Sequence, residues 1–222
     1  MTESSDEERK ARFSEISELR TDIAHLEDLI ASRRKQAEKL RDISNLGAMF
    51  STRTFDTFDE SKQPEAYKFC KRYADEFLKV RNANRNSILL MGSCGTGKTH
   101  LAAAVVNFII DHYGVPCLWG TWGTHLEKPQ KEFNGGHRQY LDLMKQVDML
   151  VIDDYGKRKE SEWSNSVLFE VINARYESKL PFILTTNKNT SELKIMADRA
   201  VLSRISEKCS FFEVNGTDYR ME

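Results

Sequence analysis

Long apolar runs are missing from this sequence. None approaches the ~18 residues that a membrane-spanning helix needs, so no membrane contact is expected. Charge of one sign is missing too. With 33 Lys and Arg against 34 Asp and Glu, the net charge is −1, so any attraction to nucleic acid must be local. Cysteine is scarce and scattered, at Cys70, Cys94, Cys117 and Cys209, with no C-x-x-C pair. That excludes a zinc ribbon or a disulfide framework and suits reduced, packed thiols in a cytoplasmic protein. A basic and then apolar leader is also lacking, since the start "MTESSDEERK" is acidic, and export is not expected. Finally, neither proline nor glycine occurs between residues 7 and 46.

That last absence predicts one long helix. Ile16, Ile23, Ile30 and Ala37 fall seven apart, and Leu19, Leu26 and Leu40 fill a second register that Arg33 interrupts. This is a coiled-coil-type seam, narrow and flanked by charge. Residues 1–46 are therefore read as a helical segment that docks on a partner or on a second copy; packing on its own domain is the alternative. Gly47 and the polar stretch "STRTFDTFDESKQPE" mark a linker over 47–64, with Phe55 and Phe58 as anchors to the core. Pro64 suits the first turn of a helix reading "EAYKFCKRYADEFLKV".

From Ser87 onward short apolar strands alternate with helices. "SILLM", "VPCLWG", "MLVID", "PFILTTN" and "CSFFEV" read as strands, and "HLAAAVVNFIIDHY" and "SNSVLFEVINARYES" as helices. Strands this uniformly apolar indicate a central parallel sheet covered on both faces, an α/β domain over 65–222.

The segment Gly92-Ser93-Cys94-Gly95-Thr96-Gly97-Lys98-Thr99, followed by His100, matches G-x-x-x-x-G-K-[ST] and sits between a strand and a helix. Backbone N–H groups of such a loop and the helix N-terminus behind it cradle phosphates. Lys98 is placed to neutralise the β- and γ-phosphates of ATP, and the Thr99 hydroxyl to ligate Mg²⁺. About fifty residues later Asp153 ends an apolar strand, where P-loop proteins hold Mg²⁺. Asp154 beside it can orient or deprotonate the attacking water, or act only electrostatically. Asn187 closes the "LTTN" strand, where a polar side chain can reach the water or the γ-phosphate. Tyr155 with Lys157, Arg158 and Lys159 combines a ring with charge, as does Phe133 with Lys131, Arg138 and Tyr140. Each cluster reads as a single-stranded DNA contact or as an ordinary solvated loop.

The order of "GSCGTGKTHLAAAVVN", "MLVIDDYG", "LFEVINARYESKLPFILTTN", an "SR" helix and "GTDYR" resembles the AAA+ ATPases. Within them it resembles the DnaC/DnaI-like replicative helicase loaders and the related IstB-like transposase helpers, over roughly residues 50 to 222. The resemblance implies an AAA+ fold without a helical lid domain, binding ATP and Mg²⁺. It also implies a sensor role for Asn187, a second sensor at Arg220, and an arginine finger at Arg204 that reaches a neighbour's ATP, with Arg199 assisting. The two arginines are five residues apart, which departs from the family's "ERxxxR"-like spacing at Arg199. On this reading the isolated chain hydrolyses ATP weakly, self-assembles with nucleotide, and loads a ring helicase onto single-stranded DNA, docking through its N-terminal helix. An IstB-like helper of a DNA transposase is the alternative.

Overall fold

A computed structural model describes residues 3–133, 139–157, 160–216 and 218–219. Two compact units divide the chain, Met1–Lys39 and Leu40–Glu222. The first is helical, part of α1 (Glu3–Ser44). Its seam side chains Ile16, Leu19 and Ile23 are about half exposed, and Phe13 is 76% exposed. The side chains of Leu26, Ile30, Arg33 and Ala37 lie outside the described residues.

The second unit begins with the last residues of α1, where Arg41 pairs with Asp111 and Ser44 and Leu46 are buried. Residues 47–64, expected as a linker, are folded into it. Gly47–Ser51 forms α2, and a 3₁₀ turn over Glu60–Lys62 leads into α3 (Pro64–Asp75), with Pro64 in the first turn. The helix expected to run on to Val80 breaks at Glu76, and α4 (Phe77–Val80) follows.

Among the described residues five parallel strands form the sheet: β1 (Ser87–Met91), β2 (Cys117–Thr121), β3 (Met149–Tyr155), β4 (Phe182–Thr186) and β5 (Cys209–Glu213). Their order is β2-β3-β4-β1-β5. Between them run α5 (Lys98–Tyr113), α6 (Trp122–Phe133), α7 (Gln139–Gln146), α8 (Glu162–Glu177), α9 (Thr190–Met196) and α10 (Arg199–Lys208). Alternation along the strands sends successive side chains to opposite faces. Leu89, Leu150, Ile152 and Leu184 join Met144, Val171, Ile172, Val201 and Ile205 from α7, α8 and α10 in one apolar cluster. The intervening Ile88, Leu90, Val151 and Ile183 are equally buried, and α5 packs against β3, β4 and α3.

One buried charge ties this layer together. The Arg175 guanidinium in α8 donates to Met144 O at 2.8 Å and Pro181 O at 2.6 Å, joining the end of α7 to the start of β4. No helix among the described residues is long and apolar enough to cross a membrane.

Candidate nucleotide site

The loop Gly92–Gly97 leaves the carboxyl end of β1, the strand from which the chain crosses to the far edge of the sheet at β2. Such a switch point opens a crevice, and α5 starts there at Lys98, bringing the positive end of its backbone dipole to it. Thr96 is buried and its hydroxyl donates to Ser93 O at 3.0 Å, so its side chain braces the loop. Lys98 is only 5% exposed and its Nζ donates to Ser93 O at 2.5 Å, which folds the side chain across the loop.

Opposite the loop stands the acidic end of β3. The Thr99 hydroxyl donates to Asp153 Oδ1 at 3.0 Å, and the Thr185 hydroxyl donates to the same oxygen at 2.5 Å. Burial pushes the Asp153 carboxyl above the usual carboxylate range; Asp154 adds to the rise, and the two threonine bonds oppose it. Asp154 has φ +56° and accepts from Lys157 Nζ at 2.9 Å. That bond and the charge of Asp154 raise the Lys157 ammonium above its ordinary value. Lys98, Thr99, Asp153, Asp154 and Asn187 all line one cleft of about 720 Å³, within the range of small-molecule sites.

The oxygen donors fit Mg²⁺. One carboxylate and one hydroxyl 3.0 Å apart are the protein share of a site that phosphate and water complete. No cluster of three or more acidic, histidine or cysteine ligands occurs among the described residues.

The other wall was not read from the sequence. Met49, Phe50, Arg53, Phe58 and Lys62 line the cleft, as does Tyr219. His100 holds this wall to α5. Its Nε2 lies 3.0 Å from Thr54 O and 3.2 Å from Thr57 Oγ1, its ring meets Phe58 edge-on, and it also lines the cleft. Burial lowers the imidazole below its ordinary value. From the far end of the chain, Tyr219 N donates to Gly95 O at 3.3 Å, and the Asp218 carboxylate packs against Gly95, where a Cβ would fall 1.7 Å from Oδ1. The Tyr219 hydroxyl accepts from Gln63 Nε2 at 2.7 Å and donates to Lys62 O at 3.2 Å. The aromatic and acidic density of "FDTFDE" was the available signal for this wall.

Other residues read from the sequence lie elsewhere. Tyr155 offers no stacking ring: it is 1% exposed inside the apolar cluster, edge-on to Trp122, because β3 continues through it. Lys157 is exposed but paired with Asp154. Arg204 is not among the described residues lining the cleft; it packs on α8 and donates to Ala200 O at 3.0 Å. Arg199 is exposed at the start of α10. Arg138, Arg158, Lys159 and Arg220 lie outside the described residues, as do the side chains of Lys131 and Phe133.

A parallel sheet in this order, with a phosphate loop after β1 and an aspartate pair on β3, defines an ATP-binding domain of the AAA+ P-loop type. The chain belongs to the IstB-like ATP binding protein family, whose model matches residues 3–222. It is 28% identical over 186 residues to YqaM of Bacillus subtilis, covering 80% of this chain and 59% of YqaM. It is 31% identical over 146 residues to the replicative helicase loader DnaC of Escherichia coli K12, covering 64% of this chain and 58% of DnaC. The chain thus spans under two thirds of the length of either relative. A crystal structure of the DnaC helicase loader superposes with a TM-score of 0.65 at 23% identity, over 76% of this chain and 99% of that one, a likeness of fold.

Proposed function

We propose that this chain is an ATPase of DNA replication that loads a hexameric helicase onto single-stranded DNA in the cytoplasm. The observation that carries the ATPase reading is the convergence of Lys98, Thr99, Asp153, Asp154 and Asn187 on a single cleft. Phosphates seat against the loop N–H groups and the start of α5, and Lys98 exchanges its bond to Ser93 O for a phosphate oxygen. The oxygens of Thr99 and Asp153 would hold Mg²⁺, which supplies charge neutralisation at the β- and γ-phosphates. Asp154 and Asn187 orient the attacking water. Arg204 of a neighbouring copy, with Arg220 of the copy that holds the nucleotide, completes the site, so turnover rises on assembly.

Similarity to DnaC supports a helicase as the partner, and the exposed seam of α1 supports docking through that helix. The test is co-purification of a ring helicase with the full chain and with a form starting at Leu40. The cut falls there, rather than after residue 46, because Ser44 and Leu46 belong to the buried core of the larger unit. Helicase held by the full chain and lost by the shorter form supports the loader. Capture of a transposase instead selects the IstB-like helper, and no nucleotide turnover under any condition sinks the ATPase half.

A further inference from the structure

The ladder between β3 and β4 is irregular at the site. Ile152 pairs with Leu184 and Tyr155 with Thr186, so Asp153 and Asp154 together face Thr185 alone. This is a β-bulge, which adds a residue to one strand and re-aims its side chains. Strict alternation would send Asp153 and Asp154 to opposite faces of the sheet. With the bulge, and with Asp154 at φ +56°, both aspartates line the same cleft. A left-handed conformation is strained for a non-glycine residue and persists where the surroundings enforce it.

Thr185 is 0% exposed, on a strand between β1 and β3, and its single hydroxyl serves both halves of the bulge. It donates to Asp153 Oδ1 at 2.5 Å and accepts from the Asp154 backbone N–H at 3.0 Å. The carboxylate can only accept and the amide can only donate, so the group between them must do both. Threonine and serine meet that requirement, while valine has the same shape and meets neither half.

We propose that Thr185 is a positioning residue that clamps the bulge, fixing the Asp153 carboxylate toward Thr99 and holding Asp154 in the conformation that turns it into the cleft. The proposal deepens the ATPase reading and rests on it for its kinetic consequence, while its structural half stands independently.

The test compares Thr185→Val and Thr185→Ser in the full chain. The structural readout is hydrogen exchange at the Asp154 amide without nucleotide. Exchange rises at least about tenfold in Thr185→Val, which leaves that N–H unpaired, and stays near wild type in Thr185→Ser. The functional readout is affinity for a fluorescent ATP analogue, with Mg²⁺ and with EDTA. Thr185→Val keeps its affinity in EDTA, where the loop alone binds, and loses the gain that Mg²⁺ provides. Its turnover falls roughly 10- to 100-fold, the usual scale for a group supporting a metal ligand, and Thr185→Ser restores both. Unchanged Asp154 exchange in Thr185→Val overturns the clamp whatever the nucleotide results. A Thr185→Ser variant as impaired as Thr185→Val overturns it too, by showing that packing of the methyl group is what matters. If wild type itself fails to bind the analogue, the ATPase reading falls while the exchange result still decides the clamp.

Discussion

The guanidinium carbon of Arg204 lies 5.2 Å from the ring centre of Phe169 and 5.6 Å from that of Tyr176, so α10 holds this arginine on an aromatic bed supplied by α8. Phe169 is itself 38% exposed. If Arg204 completes a neighbour's site, Arg204→Ala leaves ATP affinity at wild-type level and abolishes the rise of specific turnover with protein concentration. The loss reaches ~10³-fold or more if the arginine acts as in other P-loop enzymes. Turnover measured across a concentration series checks this, and a variant curve that overlays wild type removes Arg204 from the reaction.

The proposed part of Asp154 in hydrolysis rests on its place in the cleft, where its carboxylate accepts from Lys157. Asp154→Asn should bind ATP as wild type does and turn it over ~10²- to 10⁴-fold more slowly, the range for removing a positioned base. Lys157→Ala frees the carboxylate and should leave binding intact without lowering turnover. Single-turnover kinetics on both variants separate the roles, and undiminished hydrolysis by Asp154→Asn makes that carboxylate a bystander.

The rim of the cleft is closed by a short polar chain. Gln63 Nε2 donates to Asn215 O at 2.5 Å and to the Tyr219 hydroxyl, and that hydroxyl donates to Lys62 O. Tyr219→Phe removes the hydroxyl while keeping the ring beneath Lys62 Nζ, 4.5 Å above it. Stability should fall by ~1 kcal/mol, the net worth of a protein hydrogen bond, and denaturant titration reads it.

Arg175 is fully buried, and burial lowers its guanidinium to about 9. At neutral pH it is therefore charged in both native and unfolded protein and adds no slope to stability. Arg175→Met strips the donor from Met144 O and Pro181 O and should cost ~2–6 kcal/mol, since each orphaned buried carbonyl costs ~1–3. The difference from wild type should stay flat between about pH 6 and 8, and a sloping difference would show that the charge is not the one holding these carbonyls.

What could be read in the chain beforehand was what is contiguous. Gly92 to Thr99 carry the phosphate loop in one segment, and Asp153 announces itself by ending an apolar run. Long-range encounters left no such trace. Thr185 reads as an ordinary strand residue, because a bulge is a property of the pairing between β3 and β4 and does not mark either strand alone. Met49, Phe50 and Arg53 reach the cleft from a stretch that polarity assigns to a linker, and Tyr219 arrives there from the far end of the chain. Helix α6 was hidden for a local reason: Pro129 falls within its span, where proline ordinarily argues against a helix.

Gly92 opens the phosphate-loop signature, yet its nearest constraint is another strand. A Cβ at that position would lie 2.2 Å from the carbonyl oxygen of Val214, where the chain leaves β5, and Val214 N donates back to Met91 O at 2.7 Å. The first letter of the nucleotide motif is therefore spelled by sheet architecture. A chain that had abandoned ATP altogether but kept β5 beside β1 would still be obliged to carry glycine there, whereas Lys98 and Thr99 would be free to drift.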